Sequence, residues 1–173
     1  MMNKNVEKAI NEQINKEEFS SRLYLAMAIW CDANGFPGGA EFLYKHADEE
    51  RVHMLKLVHF VADRGGQAKL MPMDPPEQNY KDLLDVFQQI MKHEEFITES
   101  INKMYGVALK ENEFTTANFL QWYITEQVEE EKLFSTILDK ISLVGTDKAG
   151  MFHIDKELEG MAASKTVPSP EDV

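Results

Sequence analysis

Four long segments of this chain carry apolar residues at alternating steps of three and four, and each also carries polar residues at mid-length on the same face. The first segment runs Ile10, Ile14, Glu17, Ser21, Tyr24, Ala28 and Cys31. This spacing predicts amphipathic helices whose apolar faces meet in a bundle core. Across the four segments, the same face carries six charged or amide side chains: Glu17, Glu50, His53, Glu94, Gln127 and Glu130.

Carboxylates inside a helical bundle need a compensating partner. Burying an unpaired carboxylate costs several kcal/mol even after the protein relaxes. A bound metal ion offsets that cost most directly, because it brings positive charge to the point where the carboxylates converge. A polar network that fixes the register of the helices is the alternative.

The composition limits the class of protein. The 173 residues fit one domain, and 30 acidic against 18 basic residues give a net charge of −12. Such a surface disfavours binding of nucleic acid, whose phosphates need a basic face. An acidic surface can attract cations, or it can simply keep the protein soluble.

The single cysteine, Cys31, offers no disulfide framework. We find no apolar signal segment and no run that could cross a bilayer, so we expect a cytoplasmic protein without a membrane partner.

Glycine and proline separate the helical segments. We predict helices over residues 5–34, from 38 to the Gly65–Gly66 pair, over 80–110, from 114 to Gly145 and, shorter, over 147–161. Residues 67–79 contain three prolines and are long enough to travel the length of a bundle. Two helical hairpins joined by this crossover form an all-α four-helix bundle. We assign residues 1–163 to the domain and expect 164–173 to be a disordered tail.

The inward polar residues share one height in the predicted bundle. Glu17, Glu50, Glu94 and Gln127 each lie roughly 12 to 14 residues from the start of a helix, or ~20 Å along its axis. Antiparallel helices are at equal height near their midpoints. The four side chains should therefore meet in a single layer, a coincidence that packing alone does not explain.

Two spacings within this layer indicate metal ligation. Glu50 and His53, at i and i+3, place a carboxylate and an imidazole side by side, as in di-iron carboxylate bundles. The fourth helix has Gln127 and Glu130 at the equivalent places, and an amide is a poor ligand. We therefore predict two metal positions of unequal affinity. The firm position has Glu17, Glu50 and His53, and the labile position has bridging Glu50, Glu94 and Gln127.

Further carboxylates border the layer. Glu126, Glu129 and Glu130 occupy positions i, i+3 and i+4 of the fourth helix, where like charges repel, and Glu49 lies beside Glu50. A third cation would relieve this repulsion. An exposed acidic patch is the alternative interpretation.

Together these motifs resemble the non-haem bacterial ferritins. The segments that carry the resemblance are residues 12–15 (EQIN), 46–53 (HADEERVH), 92–94 (KHE), 119–132 (FLQWYITEQVEEEK) and 154–158 (IDKEL). The similarity spans about residues 5–158. It agrees with the architecture expected from the residue pattern, an all-α, ferritin-like four-helix bundle with one long crossover and a short fifth C-terminal helix.

The resemblance implies a shell of twenty-four subunits that oxidises Fe(II) with O2 or hydrogen peroxide and stores the ferric mineral. It implies a di-iron centre, with Glu17, Glu50 and His53 at the first iron and Glu50, Glu94 and Gln127 at the second. It also implies a third iron site at Glu49, Glu126, Glu129 and Glu130, and a redox-active tyrosine at Tyr24. For Tyr24, an aromatic ring that only fills the core is the alternative.

Related families differ at recognisable positions. Bacterioferritins carry a haem-ligating Met between the Glu and His of the second helix, where this chain has Arg51 and Val52, so we expect no haem. Rubrerythrins add a cysteine-rich iron domain that one cysteine cannot form. Two other functions stay open: a storage shell without oxidase activity, and a peroxidase-like di-iron redox enzyme that retains its iron as a cofactor.

Overall fold

The computed structural model describes residues 2–169, and its five helices confirm the predicted all-α architecture. They are α1 (Lys4–Ala33), α2 (Pro37–Asp63), α3 (Leu83–Lys110), α4 (Phe114–Val144) and α5 (Lys148–Ser164). The side chains of Asn3, Asp82 and Asp147 accept hydrogen bonds from backbone N–H groups in the first turns of α1, α3 and α5. Because Asp82 caps α3, that helix begins at Leu83 and not near residue 80.

The helices form two antiparallel hairpins, α1 with α2 and α3 with α4, joined by the long crossover. The crossover is tied to α1 by side-chain hydrogen bonds. The backbone N–H of Gln67 donates to Oε1 of Glu7 at 3.1 Å, and that of Lys69 donates to Oδ1 of Asn11 at 2.6 Å. These bonds satisfy backbone groups in a segment that has no secondary structure of its own.

The apolar core is divided into two clusters. One contains Tyr24, Phe42, Phe87 and Phe134, and the other contains Ile10, Leu57, Ile101 and Leu120. Each of the four bundle helices contributes apolar residues to both clusters, and its inward polar residues lie between the two contributing stretches. The predicted polar layer therefore lies at mid-height, with apolar packing on both sides.

Helix α5 packs mainly on α2, with a smaller contact to α4. Its Asp155 carboxylate accepts hydrogen bonds from the N–H groups of Gly38 (3.1 Å) and Gly39 (2.8 Å) at the start of α2. The approach is so close that a Cβ at position 38 would lie 1.9 Å from the Asp155 carbonyl oxygen. Glycine is therefore required there, and this contact fixes the direction of α5.

The last helix of the described residues, α5, ends at Ser164, three residues beyond its predicted end. The disordered tail over 164–173 stays a prediction, and residues 170–173 lie outside the described residues. Within residues 2–169, none of the helices combines the length and apolar character needed to span a membrane.

Candidate metal centre

The firm half of the predicted centre is assembled by α1 and α2. One ligand atom from each of Glu17, Glu50 and His53 lies within 4.8 Å of the other two. The three residues are only 2 %, 4 % and 4 % exposed, and Nδ1 of His53 lies 3.5 Å from Oε2 of Glu50. The i, i+3 spacing on α2 thus gives the adjacent carboxylate and imidazole, and α1 adds the second carboxylate.

Burial and mutual charge set the protonation of this group. Burial, reinforced by the Glu50 carboxylate, raises the pKa of Glu17 to about 8. Burial also opposes the charges of Glu50 and His53, but their attraction outweighs it. The pKa of Glu50 is lowered, and that of His53 is raised to about 9. Near neutral pH the metal-free group therefore holds a proton on Glu17 and an imidazolium at His53.

Residues around this group orient its ligands. Nε2 of Gln13 donates a hydrogen bond to Oε1 of Glu17 at 2.8 Å, and the hydroxyl of Ser100 donates to Oε1 of Gln13 at 2.6 Å. The hydroxyl of Tyr123 donates to the backbone carbonyl of His53 at 2.7 Å. The sequence pattern assigned no role to either Gln13 or Ser100. Gln13 stood only within the EQIN segment, and its signal was that it precedes Glu17 by one helical turn.

In the other half of the layer, which α3 and α4 contribute, the polar side chains are hydrogen-bonded to one another and to neighbouring protein groups. Nε2 of Gln127 donates to Oε2 of Glu94 at 2.9 Å and to Oγ1 of Thr98 at 3.1 Å. The hydroxyl of Tyr24 donates to Oε1 of Glu94. Burial raises the pKa of Glu94 to about 7. Among residues 2–169, Glu94 belongs to none of the groups in which three ligand atoms of His, Asp or Glu converge.

The border carboxylates separate into two overlapping groups. Ligand atoms of Glu49, His53 and Glu126 lie within 4.8 Å of one another, and a second group contains Glu49 and Glu130 together with His46. Glu129 is exposed and joins neither group, because it lies about 100° around α4 from Glu130. Of the four residues predicted for a third iron site, Glu49 thus shares one group with Glu126 and the other with Glu130, and each group also contains a histidine.

The chemistry of these donors suits iron. Carboxylate oxygens combined with imidazole nitrogens are a preferred ligand set of that metal. Within the described part of the chain, no hydrogen-bond donor reaches the buried Oε2 of Glu130. Burial raises the pKa of Glu130 well above its ordinary value. A bound cation would supply the missing partner.

A four-helix bundle with buried carboxylates and histidines at mid-height defines a class of metal-binding helical proteins. Within that class, this chain belongs to the ferritin family, whose ferritin-like domain matches residues 7–144. This finding confirms the resemblance predicted from the motifs.

Individual relatives match most of the chain. It is 44 % identical to a bacterial non-heme ferritin of Campylobacter jejuni over 165 residues, or 95 % of this chain and 99 % of that protein. It is also 44 % identical to a bacterial non-heme ferritin of Escherichia coli over 149 residues, or 86 % and 90 %. A solved Archaeoglobus fulgidus ferritin, engineered into a closed form, matches with a TM-score of 0.92 and 35 % identity, covering 97 % of this chain and 100 % of that one.

Proposed function

We propose that this protein stores iron and oxidises Fe(II) at the mid-height layer. The observation that carries the proposal is the convergence of Glu17, Glu50 and His53, whose buried ligand atoms lie within 4.8 Å of one another. Membership of the ferritin family supports iron as the metal. Iron is then the substrate and the cargo of the protein, and not a cofactor that stays bound.

The first Fe(II) would bind Glu17, Glu50 and His53, and the second would bind Glu50, Glu94 and Gln127. Each Fe(II) gives up one electron. Two electrons and two protons convert O2 into hydrogen peroxide, or hydrogen peroxide into two molecules of water. Holding both ions in one site makes this two-electron step intramolecular.

The protein's own groups supply protons at this site. Metal binding would displace the proton of Glu17, whose pKa is raised to about 8, and that of His53, whose pKa is raised to about 9. We assign a redox role to Tyr24, because its hydroxyl donates to Glu94.

Storage requires that oxidised iron leave the layer. Both oxygens of Glu94 accept hydrogen bonds from protein donors, and Gln127 carries no charge. A metal held by these residues would be bound weakly and would exchange. We propose that twenty-four copies enclose a cavity that receives the ferric product. The similarity to a solved archaeal ferritin over 97 % of this chain supports such a shell, and we expect it to work in the cytoplasm.

The test is aerobic addition of Fe(II) to the metal-free protein, followed by measurement of the oxidation rate, the particle mass and the iron content. An oxidising storage protein should show a fast initial phase and then accumulate far more iron than its ligands can hold, in a large particle. Retention of only about two irons per chain would favour a di-iron redox enzyme instead. Slow mineralisation without the fast phase would favour a shell that lacks oxidase activity.

A further inference from the structure

A second group of buried ligand atoms lies beside the proposed iron centre. His46, Glu49 and Glu130 each place one atom within 4.8 Å of the others, and the residues are 1 %, 9 % and 4 % exposed. We call this group the His46 cluster. It shares Glu49 and Glu130 with the predicted third iron site, and His46 is the member that the sequence did not predict.

A lysine from the end of the chain enters the His46 cluster. The ammonium of Lys165, the residue after α5, lies 3.0 Å from Nε2 of His46 and forms an ion pair with Oε2 of Glu49. Its charge also acts on Glu130, whose pKa it lowers against the larger effect of burial. One cationic group thus contacts His46 and Glu49 and acts on the charge of Glu130.

The tautomer of His46 leaves a lone pair for this contact. Its Nδ1 lies 2.8 Å from the carbonyl oxygen of Phe42, which can only accept, so Nδ1 carries the hydrogen. Burial, followed by the nearby ammonium, lowers the pKa of His46 to about 3 and keeps the ring neutral. Nε2 therefore accepts from Lys165, and it is also the atom that a metal ion would bind in a histidine held this way.

The ammonium does not satisfy the cluster completely. Within residues 2–169, Oε2 of Glu130 has no hydrogen-bond donor and lies 3.9 Å from Nε2 of His46. A divalent cation in the same space would bind all three ligands and bring twice the charge. The unpartnered oxygen is therefore the independent sign that the cluster suits a ligand other than lysine.

The backbone of Lys165 is held in the position that this contact needs. Its N–H donates to the carbonyls of Met161 (3.1 Å) and Ala162 (3.2 Å) at the end of α5, and Nζ of Lys45 donates to its carbonyl at 3.0 Å. The lysine is thus attached to α5, whose direction is fixed by the contact of Asp155 with the start of α2. Its side chain can leave the cluster while this attachment stays in place.

We propose that the ammonium of Lys165 is the resident counter-ion of the His46 cluster and that a divalent cation displaces it, so that metal and lysine bind there in turn. Lysine holds the carboxylates together in the metal-free protein. An arriving cation displaces the ammonium and moves its side chain into solvent. The inference rests on the proposed function only for the identity of that cation as Fe(II).

Chemical labelling of the wild-type protein tests the exchange. Lysine amines would be acetylated with a small reagent, with and without Zn²⁺, and the modified residues quantified by mass spectrometry. Lys165 should react several-fold faster when Zn²⁺ is bound, because its amine leaves the cluster. Exposed Lys148, at the other end of α5, is the internal control and should react equally in both states. Equal reactivity of Lys165 in both states, under saturating Zn²⁺, would overturn the proposal.

Variants test the competition directly. Zn²⁺ affinities would be measured by calorimetry for wild-type protein, Lys165→Met and the charge-matched control Lys148→Met. Lys165→Met should tighten one Zn²⁺-binding step by about tenfold, within the range found for coupled binding events, and Lys148→Met should not. Adding His46→Gln to Lys165→Met should remove the gain. Unchanged affinity in a folded Lys165→Met protein would contradict the proposal.

These measurements separate the inference from the proposed function. Zn²⁺ is not oxidised, so competition by Lys165 can be found even in a protein that oxidises Fe(II) no faster than buffer does. That pair of results would contradict the proposed function and support the inference. Fast Fe(II) oxidation without any competition from Lys165 would do the reverse.

Discussion

The two halves of the polar layer use similar residues in different ways. The α1–α2 half holds Glu17, Glu50 and His53 with their ligand atoms together and with opposite charges adjacent. In the α3–α4 half, Glu94 accepts hydrogen bonds from Gln127 and Tyr24. Metal entering the first half displaces protons from ligands that already converge, whereas metal entering the second half must also displace hydrogen-bond donors that the protein itself provides.

This difference indicates an order of binding. Ligand atoms that already converge need little rearrangement to receive a cation, and their protons leave as it binds. A satisfied carboxylate gains less, because its existing hydrogen bonds must be broken. We therefore expect the α1–α2 half to fill first and the α3–α4 half to exchange its metal. Substitutions and pH changes that remove or increase this asymmetry test the order of binding.

Glu50→Ala should have the largest effect. Glu50 belongs to both proposed iron positions, so its loss should slow the fast phase of Fe(II) oxidation by at least about 100-fold, beyond the effect of losing an outer-shell residue. The helices should stay intact, because the alanine also removes a buried charge. Stopped-flow absorbance after mixing with Fe(II) in air measures the rate.

The matched control for this variant is Glu41→Ala, which removes an exposed carboxylate from the same helix. It should oxidise Fe(II) at the wild-type rate. His53→Ala should resemble Glu50→Ala in kinetics. Normal rates in both Glu50→Ala and His53→Ala would show that oxidation does not occur in this layer.

A change of pH should act on both halves through their protons. Burial raises the pKa of Glu17 to about 8 and that of Glu94 to about 7, so both are largely protonated at pH 6. Zn²⁺ must displace these protons. Its affinity should therefore rise between pH 6 and 8, by up to about tenfold per pH unit for each proton displaced. Calorimetry in two buffers of different ionisation enthalpy counts the protons, and a constant affinity would contradict the assignment.

The metal-free protein should show the opposite dependence. A carboxyl group whose folded pKa is raised from 4.5 stabilises the fold below that value and loses this contribution as pH rises through the folded pKa. The contribution of Glu17 and Glu94 to the free energy of unfolding should thus decline from pH 5 to pH 8. Thermal unfolding with and without Zn²⁺ should show a metal-induced gain that grows over the same range.

Gln127→Glu should make the second half resemble the first. The new carboxylate would lie beside Glu94, and a cation there would gain a charged ligand in a buried site, so the second metal should bind about tenfold more tightly. Iron should then leave the layer more slowly after oxidation. Gln88→Glu, at an exposed position on α3, adds the same charge elsewhere and serves as control. An unchanged second binding step would place Gln127 outside the metal's reach.

Much of this layer could be predicted because helical periodicity determines which side chains face inward. The spacing of three and four residues predicted an inward orientation for six polar side chains, and all six are buried: Glu17, Glu50, His53, Glu94, Gln127 and Glu130. Periodicity within one helix also explains why Glu129 is exposed beside buried Glu130. Residue type alone did not separate these two neighbours, and the resemblance grouped them together.

Other features depend on how distant segments pack, which periodicity does not report. Lys165 reaches His46 across 119 positions of the chain, and its position follows from the angle at which α5 lies on α2. That angle depends on the contact of Asp155 with Gly38. The hydrogen bond from Ser100 to Gln13 likewise joins α3 to α1. Such partners appear only once the helices are placed side by side.

Tyr24→Phe should have the smallest effect and should act on the α3–α4 half alone. The ring is fully buried, so phenylalanine fills the same space, but Oε1 of Glu94 loses its donor. Losing about 1 kcal/mol of hydrogen bonding should slow Fe(II) oxidation by roughly fivefold, with Zn²⁺ affinity at the α1–α2 half unchanged. Tyr105→Phe removes a hydroxyl at a surface contact with Gln121 and should oxidise Fe(II) at the wild-type rate.

Freeze-quenched electron paramagnetic resonance tests the redox role of Tyr24 directly. It should detect a tyrosyl radical in wild-type protein and not in Tyr24→Phe. Wild-type kinetics in Tyr24→Phe would mean that the ring only fills the core.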